Sequence, residues 1–184
     1  MRKKVWVLLA DGFEEIEAVV CIDILRRAGL EVITVCVGKE KIVCGSQNVK
    51  IFADLNIEEV CVLPDALVVP GGTRGSENLA NSKKVLNIVK DCYNKGKIVA
   101  AICAAPAIVL LPAGILEGKK VTSYPDYKEK FAGESIYADK DVVVDANIIT
   151  SRGVGTVFAF AFKITEILQG KEVCKSVKED VLLS

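Results

Sequence analysis

Residues 97–111, KIVAAICAAPAIVLL, decide the fold that we predict, because they run from a buried strand through a turn of small residues into a helix. Cys103 lies at the bend. A side chain at a tight strand-to-helix turn points out of the sheet, where the first amide groups of the helix favour negative charge. This position predicts a thiolate nucleophile. The alternative is an ordinary core cysteine, because free cysteine is among the most buried residue types.

The rest of the chain alternates apolar strands with amphipathic helices. Strands are predicted over residues 5–10, 31–37, 66–69, 119–122, 142–144 and 148–150, and a short hairpin over 42–44 and 49–52. Helices are predicted over residues 14–28, 83–95, 157–168 and 172–178. This alternation predicts an α/β fold, a three-layer sandwich around a mainly parallel central sheet.

The composition limits the classes of protein to which the chain can belong. Its 184 residues, 51% of them hydrophobic, suit one domain over residues 1–184. Lysine plus arginine and aspartate plus glutamate both number 24, and no basic block indicates a nucleic-acid partner. No apolar run approaches the roughly 20 residues that span a bilayer, so we predict a soluble protein without a membrane partner.

The cysteines and the missing histidines limit the chemistry. Seven cysteines occur without any C-x-x-C pair, which argues against a disulfide framework and a metal site and favours the reducing cytoplasm. The chain has no histidine, which excludes Cys-His and Ser-His-Asp catalysis. We predict no cofactor and no metal.

Ligand sites in such folds lie beyond the carboxyl ends of the strands, which here selects the loops 11–17, 70–75, 101–106 and 151–156. Glu17 borders an apolar helical stripe, so partial desolvation would raise its pKa and let it donate a hydrogen bond to a thiolate. The alternative is a surface glutamate. Gly71 and Gly72 suit either a close backbone approach or a plain turn. Arg152 suits either an anion or a braced loop.

Several short motifs along the chain form one combined pattern. They are DGFEEIE at 11–17, RRAG at 26–29, VPGG at 69–72, AAICAAP at 100–106 and TSRG at 150–153. This set resembles the ThiJ/PfpI superfamily over essentially the whole chain. The resemblance is greatest to the clade of the Parkinson-disease-associated redox protein and its bacterial chaperone relatives.

The resemblance implies a flavodoxin-like sandwich, usually a homodimer, for which an exposed apolar part of the first helix is a candidate surface. It implies an oxidation-prone nucleophile at Cys103, a protonated glutamate at Glu17 and an anion pocket at the amides of Gly72 and Ala104. The implied activity is that of a glutathione-independent glyoxalase or deglycase. Its substrates would be methylglyoxal, a small reactive aldehyde, or glycated proteins and nucleotides, with a role in oxidative stress.

The chain departs from the clade at one position. Members often carry histidine in the loop that here reads TSYP at 122–125, where this chain has Tyr124, a possible auxiliary hydrogen-bond donor. A protease or glutamine amidotransferase activity is therefore not expected. The principal alternative is a non-enzymatic redox-sensing chaperone that uses oxidation of Cys103 to the sulfinate. A flavodoxin-like mononucleotide carrier is a third interpretation, disfavoured because no phosphate-binding glycine loop follows the first strand.

Overall fold

The structure is a computed structural model that describes residues 2–183. Its strands are β1 (Lys4–Leu9), β2 (Glu31–Cys36), β3 (Ile42–Cys44), β4 (Lys50–Phe52), β5 (Leu55–Asn56), β6 (Ala66–Val69), β7 (Ile98–Ile102), β8 (Lys120–Val121), β9 (Ile136–Tyr137), β10 (Val142–Asp145) and β11 (Ile148–Ser151). Its α-helices are α1 (Glu15–Arg27), α2 (Thr73–Ala80), α3 (Lys83–Asn94), α4 (Val157–Gln169) and α5 (Lys171–Asp180).

The central sheet has seven strands in the order β10-β11-β7-β6-β1-β2-β5. All neighbouring strands are parallel except β10 and β11, which confirms the predicted mainly parallel sheet. The chain starts in the middle with β1, adds β2 and β5 on one side, and returns with β6 to the other side. The strand order therefore reverses between β1 and β6, and the loops after β1, β6, β7 and β11 meet at one edge.

Alternate residues of β1 supply two separate cores. Val5, Val7 and Leu9 pack with buried side chains of α1, α4 and α5 on one face of the sheet. Trp6 and Leu8 pack with buried side chains of α2 and α3 on the other face. A strand whose successive side chains are all buried must be covered on both faces, which confirms the predicted three-layer sandwich.

Two elements next to Cys103 differ from the predictions. The helix α2 begins directly after Gly72, where a loop was predicted over 70–75. The helix was not predicted because its sequence TRGSENLA offers only Leu79 as a large buried apolar side chain. The segment Pro106–Leu110 forms one turn of π-helix rather than a longer α-helix, and the N–H of Leu111 donates to the C=O of Pro106 at 3.1 Å. One turn has a smaller dipole than the helix that we predicted.

Within residues 2–183, no helix combines the length and apolar character needed to cross a membrane.

Candidate active site

Cys103 has a backbone conformation that is uncommon for a residue with a side chain. Its φ is +63°, in the left-handed region, immediately after β7. Two backbone hydrogen bonds hold it there, one from its N–H to the C=O of Ser151 at 3.0 Å and one from the N–H of Tyr124 to its C=O at 2.8 Å. Strain of this kind persists only where the surroundings fix it. The bend places the half-buried Cys103 side chain at the carboxyl edge of the sheet.

Glu17 lies beside Cys103 and is completely buried, at 0% exposure. Its Oε2 accepts the N–H of Gly71 at 2.7 Å, while Oε1 has no hydrogen-bond partner among the described residues. The pKa of Glu17 is raised to about 7, chiefly by burial and to a smaller extent by the charge of Glu14, while the hydrogen bond from Gly71 lowers it. Because Oε2 accepts from Gly71, a neutral Glu17 would carry its proton on the free Oε1.

Cys103 is subject to opposing electrostatic effects. Burial and the charge of ionised Glu17 raise the pKa of Cys103 to about 12, whereas the backbone N–H groups of Gly72 and Ala104 lower it. This direction is opposite to the thiolate predicted from a helix N-terminus, because the sulfur is largely desolvated and the helix is one short turn. Ionised Glu17 opposes a neighbouring thiolate, so the pair holds a single negative charge far more easily than two.

The Gly71-Gly72 pair is explained by close contacts. A Cβ on Gly71 would lie 2.5 Å from the Cβ of Cys103 and 2.6 Å from Oε2 of Glu17. Gly72 has φ +86°, and a Cβ there would collide with the C=O of Gly12. Both positions therefore require glycine, since the backbone that surrounds the sulfur and the carboxyl leaves no room for a methyl group.

Gly153 lies close to the side chains of Cys103, Glu17 and Tyr124. A Cβ built on it would lie 3.9 Å from Sγ of Cys103, 3.9 Å from Oε1 of Glu17 and 3.6 Å from Cδ2 of Tyr124. The Tyr124 ring is thus next to the Cys-Glu pair. The sequence predicted that the loop 151–156 contributes to the site but gave no sign that Gly153 is the residue adjoining it.

The cavity above Cys103 has a volume of about 370 Å³. Its walls are formed by Glu14, Ser46, Gly72, Thr73, Cys103, Ala104, Tyr124, Asp126 and Tyr127. The hydroxyl groups of Thr73 and Tyr127 lie 3.0 Å apart, which joins α2 to the turn that carries Tyr124. Thr73 lies in the loop 70–75 that was predicted to contribute to the site, whereas Ser46, Asp126 and Tyr127 were not predicted, since no periodicity or strand-end rule relates their segments to Cys103.

Ser46 reaches the cavity because Glu15 holds the hairpin of β3 and β4 against α1. The buried Glu15 carboxylate accepts the Ser46 hydroxyl at 2.9 Å and the Gln47 N–H at 2.5 Å. Burial raises the pKa of Glu15, but hydrogen bonds from Gln47, Ser46 and Val49 outweigh it and hold this pKa below its usual value. The hairpin is therefore fastened to the same helix that carries Glu17.

Arg152 forms an ion pair with a neighbouring loop. Its Nη1 lies 2.9 Å from Oδ1 of Asp139, an ion pair that joins two loops. The structure therefore gives Arg152 a bracing contact, and Arg152 is not among the residues that line the Cys103 cavity.

All seven cysteines are free thiols. Cys21, Cys36, Cys92 and Cys174 are buried, and burial is the main cause that raises the pKa of each. Cys61 is exposed, whereas Cys44 and Cys103 are half-buried. Among the seven, Cys103 has the positive φ and contacts the buried carboxyl of Glu17.

The fold and the site define an α/β sandwich with a strained cysteine at a strand end and a buried carboxyl beside it. The chain belongs to the DJ-1/PfpI family, whose model matches residues 3–167. It is 41% identical to Drosophila melanogaster protein dj-1beta over 187 residues, covering 100% of this chain and 99% of that protein. It is 36% identical to a Pyrococcus abyssi protein named deglycase, covering 90% of this chain and 99% of that protein. A crystal structure of a DJ-1 superfamily protein from Salmonella typhimurium superposes with a TM-score of 0.95 at 36% identity, covering 99% of each chain.

Proposed function

We propose that this protein converts methylglyoxal, or its adducts with amines, to lactate without glutathione, with Cys103 as nucleophile and Glu17 as proton shuttle. The observation that carries the proposal is the buried Glu17 carboxyl, whose unpartnered Oε1 and the sulfur of Cys103 both lie within 3.9 Å of the position that a Cβ on Gly153 would take. A relative named deglycase supports chemistry of this class.

The first step forms a bond between Sγ of Cys103 and the aldehyde carbon. The thiol proton passes to Glu17, and the oxygen that gains charge lies near the N–H groups of Gly72 and Ala104, which lower the pKa of Cys103 by donating to its sulfur. Donors that are already in place stabilise a developing oxyanion without reorganisation.

The second step is an internal oxidation and reduction. Glu17 removes the hydrogen of the former aldehyde carbon and delivers a proton to the neighbouring ketone carbon. The hydroxyl oxygen on the first carbon loses its proton, and the ketone oxygen gains one, through the same carboxyl. The first carbon becomes a thioester, the second becomes an alcohol, and no external oxidant is consumed. A pKa near 7 suits a carboxyl that must both give and accept a proton. Water then cleaves the thioester, which releases lactate and restores the thiol.

The test of this proposal is lactate formation from methylglyoxal by the purified full chain, with no glutathione present. Lactate must form in proportion to methylglyoxal consumed, and its formation must depend on Cys103. Absence of lactate from active, folded protein at any pH between about 6 and 9 would contradict the proposal. We propose Tyr124 as an auxiliary donor, since it lines the same cavity as Cys103.

A second candidate function, redox sensing, is favoured by the same unpartnered Oε1 of Glu17. Two equivalents of peroxide convert a thiol to a sulfinate and release two waters. The sulfinate would accept hydrogen bonds from the Gly72 and Ala104 amides and from the protonated Glu17 carboxyl. These contacts give Cys103 a stabilised oxidised state that the exposed Cys61 lacks. We place both activities in the cytoplasm, in response to oxidative and carbonyl stress.

Mild peroxide is expected to add two oxygens selectively at Cys103, because the N–H groups of Gly72 and Ala104 and the carboxyl of Glu17 surround its sulfur. Intact-mass and peptide mass spectrometry measure this directly. Glu17→Leu should remove the selectivity, since it deletes the carboxyl donor, while Cys61→Ser should leave it intact. Oxidation spread evenly over the seven cysteines would exclude the sensor function.

The chain is also proposed to form a homodimer through α1 and its neighbour α4. Ile16 and Val19 on α1 are 50% and 46% exposed, and Phe158 on α4 is 41% exposed. Large apolar side chains grouped on packed helices indicate an interface. Ile16→Lys together with Val19→Lys is expected to shift the protein from dimer to monomer in sedimentation velocity experiments. A monomeric wild type at micromolar concentration would contradict this interface.

A further inference from the structure

Residues 124–130, which we call the strap, form one wall of the Cys103 cavity through Tyr124, Asp126 and Tyr127. Within the strap, Tyr127 is half-buried and the other six residues are exposed. The residues on either side of it, Ser123 and Phe131, are 0% and 1% exposed. The strap is therefore held firmly at its two ends, and Tyr127 is the one partly buried side chain between them.

Tyr127 connects the strap to a second wall of the cavity. Its hydroxyl lies 3.0 Å from the hydroxyl of Thr73, the first residue of α2, and both residues line the cavity. Thr73 directly follows Gly72, whose N–H donates to the sulfur of Cys103. The hydroxyl contact therefore joins the strap to the segment that lies beside the sulfur.

Few other contacts restrain the middle of the strap. Among the described residues, the Thr73–Tyr127 contact is the only side-chain hydrogen bond that residues 125–130 make. Lys128 lies over the ring of Tyr137 at 5.8 Å, and Lys130 lies over the ring of Tyr127 itself at 5.5 Å. Contacts between a cation and a ring are weak at exposed sites. The position of the strap therefore depends largely on one pair of hydroxyl groups.

A segment held in this way is expected to open locally. Segments with few buried contacts are the first to separate from a folded protein. One hydrogen bond shifts the equilibrium between the held and the released strap by roughly twofold to tenfold. The Thr73–Tyr127 contact can therefore keep the strap closed for most of the time while still allowing it to open.

We propose that Thr73 and Tyr127 form a latch that closes the strap over the Cys103 cavity, so that these two residues determine the size of the molecules that reach the sulfur. The closed cavity, of about 370 Å³, admits small molecules, and larger ones enter when the wall formed by the strap moves away. The latch makes and breaks no covalent bond. It goes beyond the proposed function, because it concerns access to the sulfur whatever reaction follows.

The test compares alkylation of Cys103 by iodoacetamide and by the larger N-phenyliodoacetamide in the full chain, measured by peptide mass spectrometry. The exposed Cys61 of the same molecule supplies the reference rates that cancel the intrinsic difference between the reagents. Tyr127→Phe and Thr73→Val each remove one hydroxyl. Each is expected to raise the rate with the larger reagent about fivefold, the scale of one hydrogen bond, and to change the rate with iodoacetamide less than about twofold.

Two further measurements distinguish a latch from a general loosening of the fold. The double variant should behave like either single variant, because both substitutions remove the same bond. Amide hydrogen exchange of residues 124–130 should accelerate in each variant, while circular dichroism shows that the fold is retained. Tyr93→Phe, on α3 and outside the cavity walls, is the matched control and should behave as wild type.

Three results would overturn the latch. The first is an unchanged rate with the larger reagent in Tyr127→Phe and Thr73→Val. The second is equal acceleration with both reagents, because the hydroxyl pair would then act on the sulfur and not on access to it. The third is a double variant in which the two effects multiply, because the hydroxyls would then act separately. None of these measurements requires lactate formation, so failure of the latch and failure of the proposed function are distinguishable.

Discussion

Cys103→Ser is expected to lower kcat/KM for lactate formation from methylglyoxal by roughly a thousandfold or more, the scale of losing an enzyme nucleophile. A serine hydroxyl is far less acidic than a thiol, and the base beside it is a carboxyl whose pKa is about 7. That carboxyl can accept a thiol proton while the C–S bond forms, but it is too weak a base to generate an alkoxide. Steady-state lactate assays measure the loss.

The substitution exchanges one atom, so the fold should be retained, and circular dichroism with thermal unfolding checks this. Cys61→Ser is the matched control, because Cys61 is the exposed cysteine of the chain and contacts no buried carboxyl. It should keep full activity. If Cys103→Ser forms lactate at the wild-type rate, the nucleophile is assigned to the wrong residue.

Glu17→Gln is expected to lower kcat about a hundredfold or more, in the range for loss of a general acid-base group. The amide can still accept the N–H of Gly71, which Oε2 of Glu17 accepts at 2.7 Å, but it cannot exchange a proton. Glu77→Gln, at an exposed carboxyl on α2, is the matched control and should remain active. Wild-type turnover by Glu17→Gln would exclude the proton shuttle.

The same substitution is expected to stabilise the fold at alkaline pH. The pKa of Glu17 rises from 4.5 to about 7 on folding, so its contribution to stability is complete below pH 4.5 and is lost as pH rises through 7. A shift of this size corresponds to about 3 kcal/mol by the linkage relation. Glu17→Gln should therefore unfold at a higher urea concentration than wild type at pH 8, and the difference should shrink at pH 5. Equal midpoints at pH 8 would show that Glu17 is not strained by its burial.

The fold was predictable because each core strand is an uninterrupted apolar run. Continuous runs such as Ala66–Val69 and Ile98–Ile102 predict strands that are covered on both faces, and the structure reproduces their place in a parallel sheet. The helix α2 was not predictable in this way. It buries glycine and serine through contacts with the loop after β1, and such contacts leave no apolar period in the sequence.

Some features of the candidate site could likewise be predicted from the sequence, and others could not. The strand-end rule and the positions of Cys103, Glu17 and Gly72 could be derived from the chain, because each follows a recognisable strand or begins a helix. The direction of the Cys103 pKa could not, since it depends on how deeply the sulfur is buried and on the charge of Glu17. Ser46 reaches the cavity through the docking of a hairpin that is distant from Cys103 in sequence.

The central claim is that Cys103 and Glu17 share one proton and that the pair releases its first proton near neutrality. The most direct test is the rate at which iodoacetamide alkylates Cys103 between about pH 5 and 10, followed by peptide mass spectrometry. Wild type is expected to react slowly throughout this range, because Glu17 ionises near pH 7 and its charge keeps the Cys103 thiol protonated, and Glu17→Gln should react faster, with its rise at lower pH than in wild type. A wild-type rise centred near pH 7, or a rise that Glu17→Gln leaves unchanged or moves to higher pH, would contradict the account.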